Sequence, residues 1–255
     1  MNQPIKTVQV DSLRVHVYPT RQEMGASAGR AITEKINELL SDKPVIRMIF
    51  AAAPSQNEVL AYLAASPDVD WSRIDVFHMD EYVGLPENAP QRFGTFLREH
   101  LFDQVKPRTV NLIDSSANEA ERDYAKLLTA APIDIICLGI GENGHIAFND
   151  PPVADFNDPA VIKRVQLDDV CRQQQVNDGC FPALNDVPQE ALTLTIPTLM
   201  AGANLFCVVP GPTKRDAVRQ MLTGPIITDC PASILRTHPN CTLYVDEASF
   251  GNALP

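Results

Sequence analysis

Three stretches of the sequence combine residue types that can move protons or hold anions. The first, residues 138–152, reads LGIGENGHIAFNDPP. Its three glycines let the backbone turn tightly and approach a ligand closely. His145 exchanges a proton near neutral pH. Asp150 is spaced to hold that imidazole in one tautomer, and Asn143 to add a hydrogen bond. The glycine spacing lacks the six-residue dinucleotide fingerprint, which argues against a nucleotide cofactor. The second stretch, residues 77–85, reads FHMDEYVGL. Asp80 and Glu81 are adjacent, so on a continuing strand they face opposite ways and one enters a cleft. A carboxylate there suits a general base acting on a carbon acid. The third stretch, PGPTKR at 210–215, puts Lys214 in the first turn of a helix. A cation there opposes the helix dipole by about 0.3–1 kcal/mol. A bound anion reverses that penalty. Arg172 is a further candidate anion ligand. Plainer readings stand beside each: a turn with a structural histidine, a solvated acidic turn, a surface lysine and a surface arginine.

The elements that must position these residues alternate between strand and helix. Residues 8–18 alternate apolar and polar as one half-buried strand does. Residues 20–40 carry apolar positions at helical spacing through Met24, Ala28, Ile32, Ile36 and Leu39. Short apolar strands are expected at 45–51, 73–79, 132–140, 203–209 and 241–245. Helices are expected at 59–65, 93–102, 117–129 and 212–222, with a loop over 80–90. Ser55 and Glu58 have the spacing of a capping box before the helix at 59–65. Strands separated by helices imply parallel crossovers. The expected fold is therefore α/β: a doubly wound, mainly parallel sheet flanked by helices, in a single domain over 1–255. The polar, weakly periodic segment 151–188 is a candidate lid. Ligands of such sheets bind beyond the carboxyl ends of the strands. That rule selects the loops at 52–56, 80–84, 139–150 and 210–214.

Composition narrows the function class. The 255 residues are 45% hydrophobic and 21% charged, values of a globular chain. A net charge of -11 disfavours nucleic acid and anionic membrane as partners. None of the six cysteines forms a C-x-x-C pair, so zinc spacing is absent. The N-terminal residues carry no apolar signal core, and the expected setting is a reducing cytoplasm.

Two of the stretches together are specific. FHMDEYVGL and LGIGENGHIAFNDPP resemble the signature stretches of the glucosamine-6-phosphate deaminase (isomerase) family, which is related in fold to 6-phosphogluconolactonases. The tail PASILRTHPNCTLYVDEAS is similar to the family's closing segment. The resemblance implies conversion of glucosamine 6-phosphate and water to fructose 6-phosphate and ammonia, with no metal or organic cofactor and a small sugar phosphate as partner. It implies that Asp80 moves a proton between C2 and C1, and that His145 helps open the sugar ring. Asn143 and Asp150 stand where the family has Asp or Asn, and Glu, around that histidine. Arg172 and Lys214 match its phosphate ligands. Ser55, Glu81 and Gly144 are expected at the substrate. A lactone hydrolase, an isomerase of another sugar phosphate, and a non-catalytic sugar-phosphate sensor are the competing readings.

The chain departs from the family pattern after the second strand. A Thr-Gly-(Gly or Ser)-Thr type of turn is replaced by Ala51-Ala52-Ala53-Pro54-Ser55-Gln56. Pro54 has no N–H to offer a phosphate, and Ala53 resists the positive φ that glycine allows. A reshaped phosphate site follows. Asp150 in place of Glu shortens the carboxylate arm, so its histidine contact is expected to need a backbone shift or a water. The sequence leaves a homo-oligomer open.

Overall fold

A computed structural model describes residues 3–254. The chain begins with a hairpin, β1 (Lys6–Val10) and β2 (Leu13–Tyr18), where one continuous strand was expected. Asp11 turns the chain in the left-handed region at φ 51°, a conformation that Asp tolerates better than most residues. Helix α1 (Arg21–Asp42) follows. Its N-cap Thr20 accepts from the Glu23 N–H at 3.2 Å, and its buried stripe carries the expected Met24, Ala28, Ile32 and Ile36 but ends on Leu40, with the expected Leu39 only half-buried. The order then runs β3 (Ile46–Phe50), α2 (Asn57–Ala65), β4 (Ile74–His78) and β5 (Asp80–Tyr82). Helix α3 (Phe93–Leu97) opens into one wide turn at Arg98–Phe102 and closes as α4 (Asp103–Val105). Next come β6 (Thr109–Asn111), α5 (Ala120–Leu128), β7 (Ile135–Leu138), β8 (Ile162–Gln166) and α6 (Asp169–Asn177). The chain finishes with β9 (Glu190–Leu194), α7 (Ile196–Met200), β10 (Asn204–Val209), α8 (Arg215–Thr223), β11 (Cys241–Asp246) and α9 (Glu247–Phe250).

Eight strands form the main sheet in the order β1-β2-β11-β10-β7-β3-β4-β6, parallel except for β1 against β2. Both faces are covered, which explains the unbroken apolar runs of the central strands. In β7, Ile135 and Cys137 enter one core while Ile136 and Leu138 enter the other. Successive side chains of a strand point to opposite faces, so one short segment feeds two cores.

From β3 the order proceeds through β4 to β6. From its neighbour β7 it proceeds the other way, through β10 and β11 to β2. The crevice between β3 and β7 is therefore the switch point at which an open α/β sheet takes its ligand.

A second, three-stranded antiparallel sheet, β5-β9-β8, stands beside the first. It accounts for two differences from the expected pattern. Asp80–Tyr82 pairs with β9 and is not loop. Within 151–188, β8 is locked into this sheet and α6 is capped by Asp168, whose carboxylate accepts from the Cys171 N–H at 2.7 Å. Neither pairing has a local signature, because each joins residues far apart in the chain. Among the described residues, no helix is long and apolar enough to cross a membrane.

Candidate active site

A cleft of about 250 Å³ opens over the switch point. All four loops selected by the strand-end rule reach it. They contribute Ala51 to Gln56 after β3, Met79 and Asp80 after β4, Gly139, Ile140, His145, Ala147 and Phe148 after β7, and Pro210 to Lys214 after β10.

Asp80 is fixed by the passage of one strand into another. β4 ends at His78, whose Nε2 accepts from the Ile113 N–H at 2.8 Å. Met79 carries the chain over to β5, where Asp80 pairs with Thr193. The alternation expected of the two carboxylates is observed. Asp80 lines the cleft, while Glu81 points away into the fold. Glu81 Oε1 accepts from the N–H groups of Tyr82 (2.9 Å) and Phe93 (3.1 Å), and Oε2 accepts from Gly94 (3.0 Å). The Arg92 guanidinium stands 3.5 Å from Oε2. Glu81 thus satisfies orphan donors at the start of α3 and ties that helix to β5. Burial, and after it the negative charge of Glu81, raises the Asp80 carboxyl well above the usual carboxylate range. A carboxylate so placed is a stronger base than one in water.

His145 sits in the glycine loop. Gly144 adopts φ 80°, a conformation glycine favours, and lies so close to Cys230 that a Cβ would stand 2.9 Å from its Sγ. Gly144 shapes the turn and is not among the cleft-lining residues. Asn143 Oδ1 accepts from the His145 N–H at 3.0 Å, and Asn143 Nδ2 donates to Asp150 Oδ1 at 2.9 Å. His145 Nδ1 lies 2.9 Å from the same Asp150 oxygen. The shortened carboxylate therefore meets the ring directly, with Ala147, between them in the chain, in the left-handed region at φ 51°, although the ring N–H is not aligned on it for a hydrogen bond. Burial opposes ionisation of Asp150, but His145 and the Asn143 amide outweigh it and hold the carboxyl below its ordinary range.

Cys171 completes a buried group with His145 and Asp150, their potential ligand atoms lying within 4.8 Å of one another. Burial, and next the charge of Asp150, pushes the Cys171 thiol far up. It keeps its proton at neutral pH and is a neutral neighbour of the carboxylate.

Lys214 is 5% exposed and lines the cleft. Its ammonium has no ion-pair or hydrogen-bond partner among the described residues. Burial lowers its pKa, against the opposing charges of Asp178 and Glu142. A desolvated, unpaired cation facing a cavity favours an anion there. Arg172 does not join it. Its guanidinium donates to the carbonyls of Leu184 (2.7 Å) and Val187 (3.1 Å) and to Asp169 (3.0 Å), and it is absent from the cleft lining. Ser55 does line the cleft, but the expected capping box is not formed. A short 3₁₀ turn, Pro54–Gln56, precedes α2, whose N-cap is Gln56 without a side-chain bond. Ser55 Oγ instead accepts from Gln56 Nε2 at 3.1 Å. Ala53 avoids positive φ by lying extended at φ -158°.

The cleft thus joins a buried carboxylate, a histidine–carboxylate pair and an unpaired cation. A family model described as glucosamine-6-phosphate isomerases/6-phosphogluconolactonase matches residues 19–244. The chain belongs to this family. Glucosamine-6-phosphate deaminases of Bacillus cereus and Clostridium acetobutylicum are 32% and 30% identical to it over 238 and 234 residues. These matches cover 92% and 89% of this chain and 87% and 94% of the relatives. Another, from Exiguobacterium sibiricum, is 38% identical over 182 residues, 70% of each chain. Among solved structures, a monomeric glucosamine-6-phosphate deaminase superposes with a TM-score of 0.84 at 28% identity, covering 92% of this chain and 98% of that one. A 6-phosphogluconolactonase from Thermotoga maritima superposes at 0.74 with 20% identity, covering 91% and 98%, which marks a shared fold.

Within the family frame, several cleft residues were not evident from sequence. Arg21 enters from the start of α1, Phe93 from α3, Gln174 and Gln175 from α6, and Asp178 from just beyond its end. The one available signal was in α6, where polar residues occupy inward positions: Gln174 and Gln175 are buried, and Gln174 Oε1 accepts from the Glu142 N–H at 2.8 Å.

Proposed function

We propose that this protein is a glucosamine-6-phosphate deaminase, acting in the cytoplasm on a small sugar phosphate and on no nucleic acid. The observation that carries the reading is the placement of Asp80 and His145 on one cleft with the unpaired Lys214. His145, backed by Asp150, moves the proton that opens the sugar ring, since an open chain is needed before a C2 proton is acidic. Asp80 then takes that proton from C2 and returns it at C1, and water releases ammonia from C2 as the ketose forms. Backbone N–H groups of the glycine loop stabilise the charge on the C1 oxygen of the enolamine, whose protonation at C1 leaves the C2 imine that water hydrolyses. Lys214 holds the phosphate. A carboxylate at the C2 position is suited to moving a proton between C2 and C1, a step that lactone hydrolysis lacks; this favours deaminase over lactonase. The related monomeric deaminase makes a monomer a natural expectation, and light scattering checks it against a homo-oligomer. The deciding experiment measures ammonia and fructose 6-phosphate released from glucosamine 6-phosphate by wild type and Asp80→Asn. Stoichiometric release that falls by at least about 10²-fold in the variant is expected. Hydrolysis of 6-phosphogluconolactone with no ammonia from the amino sugar refutes the proposal.

A further inference from the structure

Arg172 spends its guanidinium on Asp169 and two backbone carbonyls, and Pro54 removes a backbone donor from the loop after β3. The cleft nevertheless has a second permanent cation. Among the described residues, the lysines and arginines lining it are Lys214 and Arg21. We propose that Arg21 is a substrate ligand that grips the anionic group together with Lys214, a role that rests on the sugar-phosphate reading above.

Arg21 Nη2 donates to the Pro54 carbonyl, which puts the guanidinium against the loop that has lost a backbone donor. Its Nε donates to Glu58 Oε1 at 2.6 Å. Guanidinium carries five N–H donors in a fixed fork. Nη1 has no partner among the described residues, and the side chain keeps 34% of its surface open. The head is thus aimed and restrained with donors still available, which is the state in which arginine binds oxyanions at little ordering cost.

The aim is built into the helix pair. Gly25 lies one turn beyond Arg21, where a Cβ would stand 2.3 Å from the Glu58 Cβ. Only a residue without a side chain lets α1 close on α2 so that Glu58 reaches Arg21. Glu58, which does not cap α2, has this orienting role instead. It is a positioning residue and Arg21 the ligand.

The test measures binding of inorganic phosphate by calorimetry, and steady-state kinetics on glucosamine 6-phosphate, for wild type, Arg21→Met, Glu58→Ala and Lys214→Met. Loss of a charge-assisted bond predicts that Arg21→Met weakens phosphate binding and raises KM by about tenfold or more, with kcat changed by less than about threefold. Glu58→Ala breaks the same ion pair but keeps the cation. It is expected to lower the melting temperature at least as much as Arg21→Met while weakening phosphate by less. Arg21→Met that binds phosphate like wild type, while Lys214→Met does not, overturns the proposal and leaves the sugar-phosphate reading standing. Equal losses of phosphate binding in Arg21→Met and Glu58→Ala, tracking their melting temperatures, also overturn it by making Arg21 a fastener between helices. A wild-type protein that neither binds phosphate nor turns over the sugar phosphate removes both readings together.

Discussion

Replacing Gly141 by alanine is expected to displace the His145 ring and little else. The new Cβ would lie 2.2 Å from Cε1, 2.3 Å from Nδ1 and 2.5 Å from Nε2 of that ring. Gly141 does not occupy the left-handed region, so alanine adds no backbone strain of that kind. Moving the nearest ring atom from 2.2 Å to the 3.4 Å of ordinary contact requires a retreat of about 1.2 Å. The ring stands 2.9 Å from Asp150, so a shift of this size removes it from its place beside that carboxylate. Misplacement by about 1 Å typically costs about 10²-fold in rate. Overpacking costs about 1–3 kcal/mol of stability. Steady-state kinetics and chemical denaturation on Gly141→Ala test both numbers. A double variant with His145→Ala isolates the route. If alanine acts through the ring, the double variant is no slower than His145→Ala alone, because the residue it would displace is gone. Full multiplication of the two losses, or wild-type kcat in Gly141→Ala, refutes the reasoning.

Lys214→Met is expected to raise KM by about tenfold or more, and to abolish the thermal stabilisation that phosphate gives the wild type. Burial lowers the Lys214 pKa, so its charge costs stability below that lowered value, and the cost fades as pH rises toward the unfolded-state pKa. Without ligand the Met variant should therefore melt higher than wild type at neutral pH; a lower melting point contradicts the burial argument. The acid limb of kcat/KM is expected above the ordinary carboxylate range, since Asp80 must be ionised to act and its pKa is raised by burial and by Glu81. Glu81→Gln should move that limb to lower pH while costing about 1–3 kcal/mol of stability through its weakened backbone bonds; an unmoved limb assigns it to another group. All six cysteines are free and their thiols are pushed up by burial, so alkylation at pH 7.5 should be slow, with Cys180, the one thiol not buried and pushed up to about 11, labelled first. Peptide mapping that finds Cys230 or Cys171 labelled ahead of it counts against this ordering.

The sequence by itself determined what depends on local pattern. The stripe of α1, the apolar runs of the central strands and the Asp80–Glu81 alternation follow from periods of 3.6 and 2, which any segment carries within itself. The four cleft loops were legible for a related reason. Parallel strands oblige their carboxyl ends to gather on one edge, so strand order along the chain already groups 52–56, 80–84, 139–150 and 210–214.

What remained was decided by contacts between distant residues. Asp80 lies in a second sheet because β9, more than a hundred positions later, supplies its partner strand. Ser55 and Glu58 have capping-box spacing, yet Arg21 on another helix takes the glutamate and a 3₁₀ turn takes the helix start. Arg172 and Arg21 are the same residue type, each at a helix start. Two carbonyls from the 184–187 turn engage the first, whereas close approach of α1 and α2 aims the second into the cleft. A side chain's type fixes the bonds it can make; which partner is within reach depends on tertiary packing, and local periodicity carries no record of that.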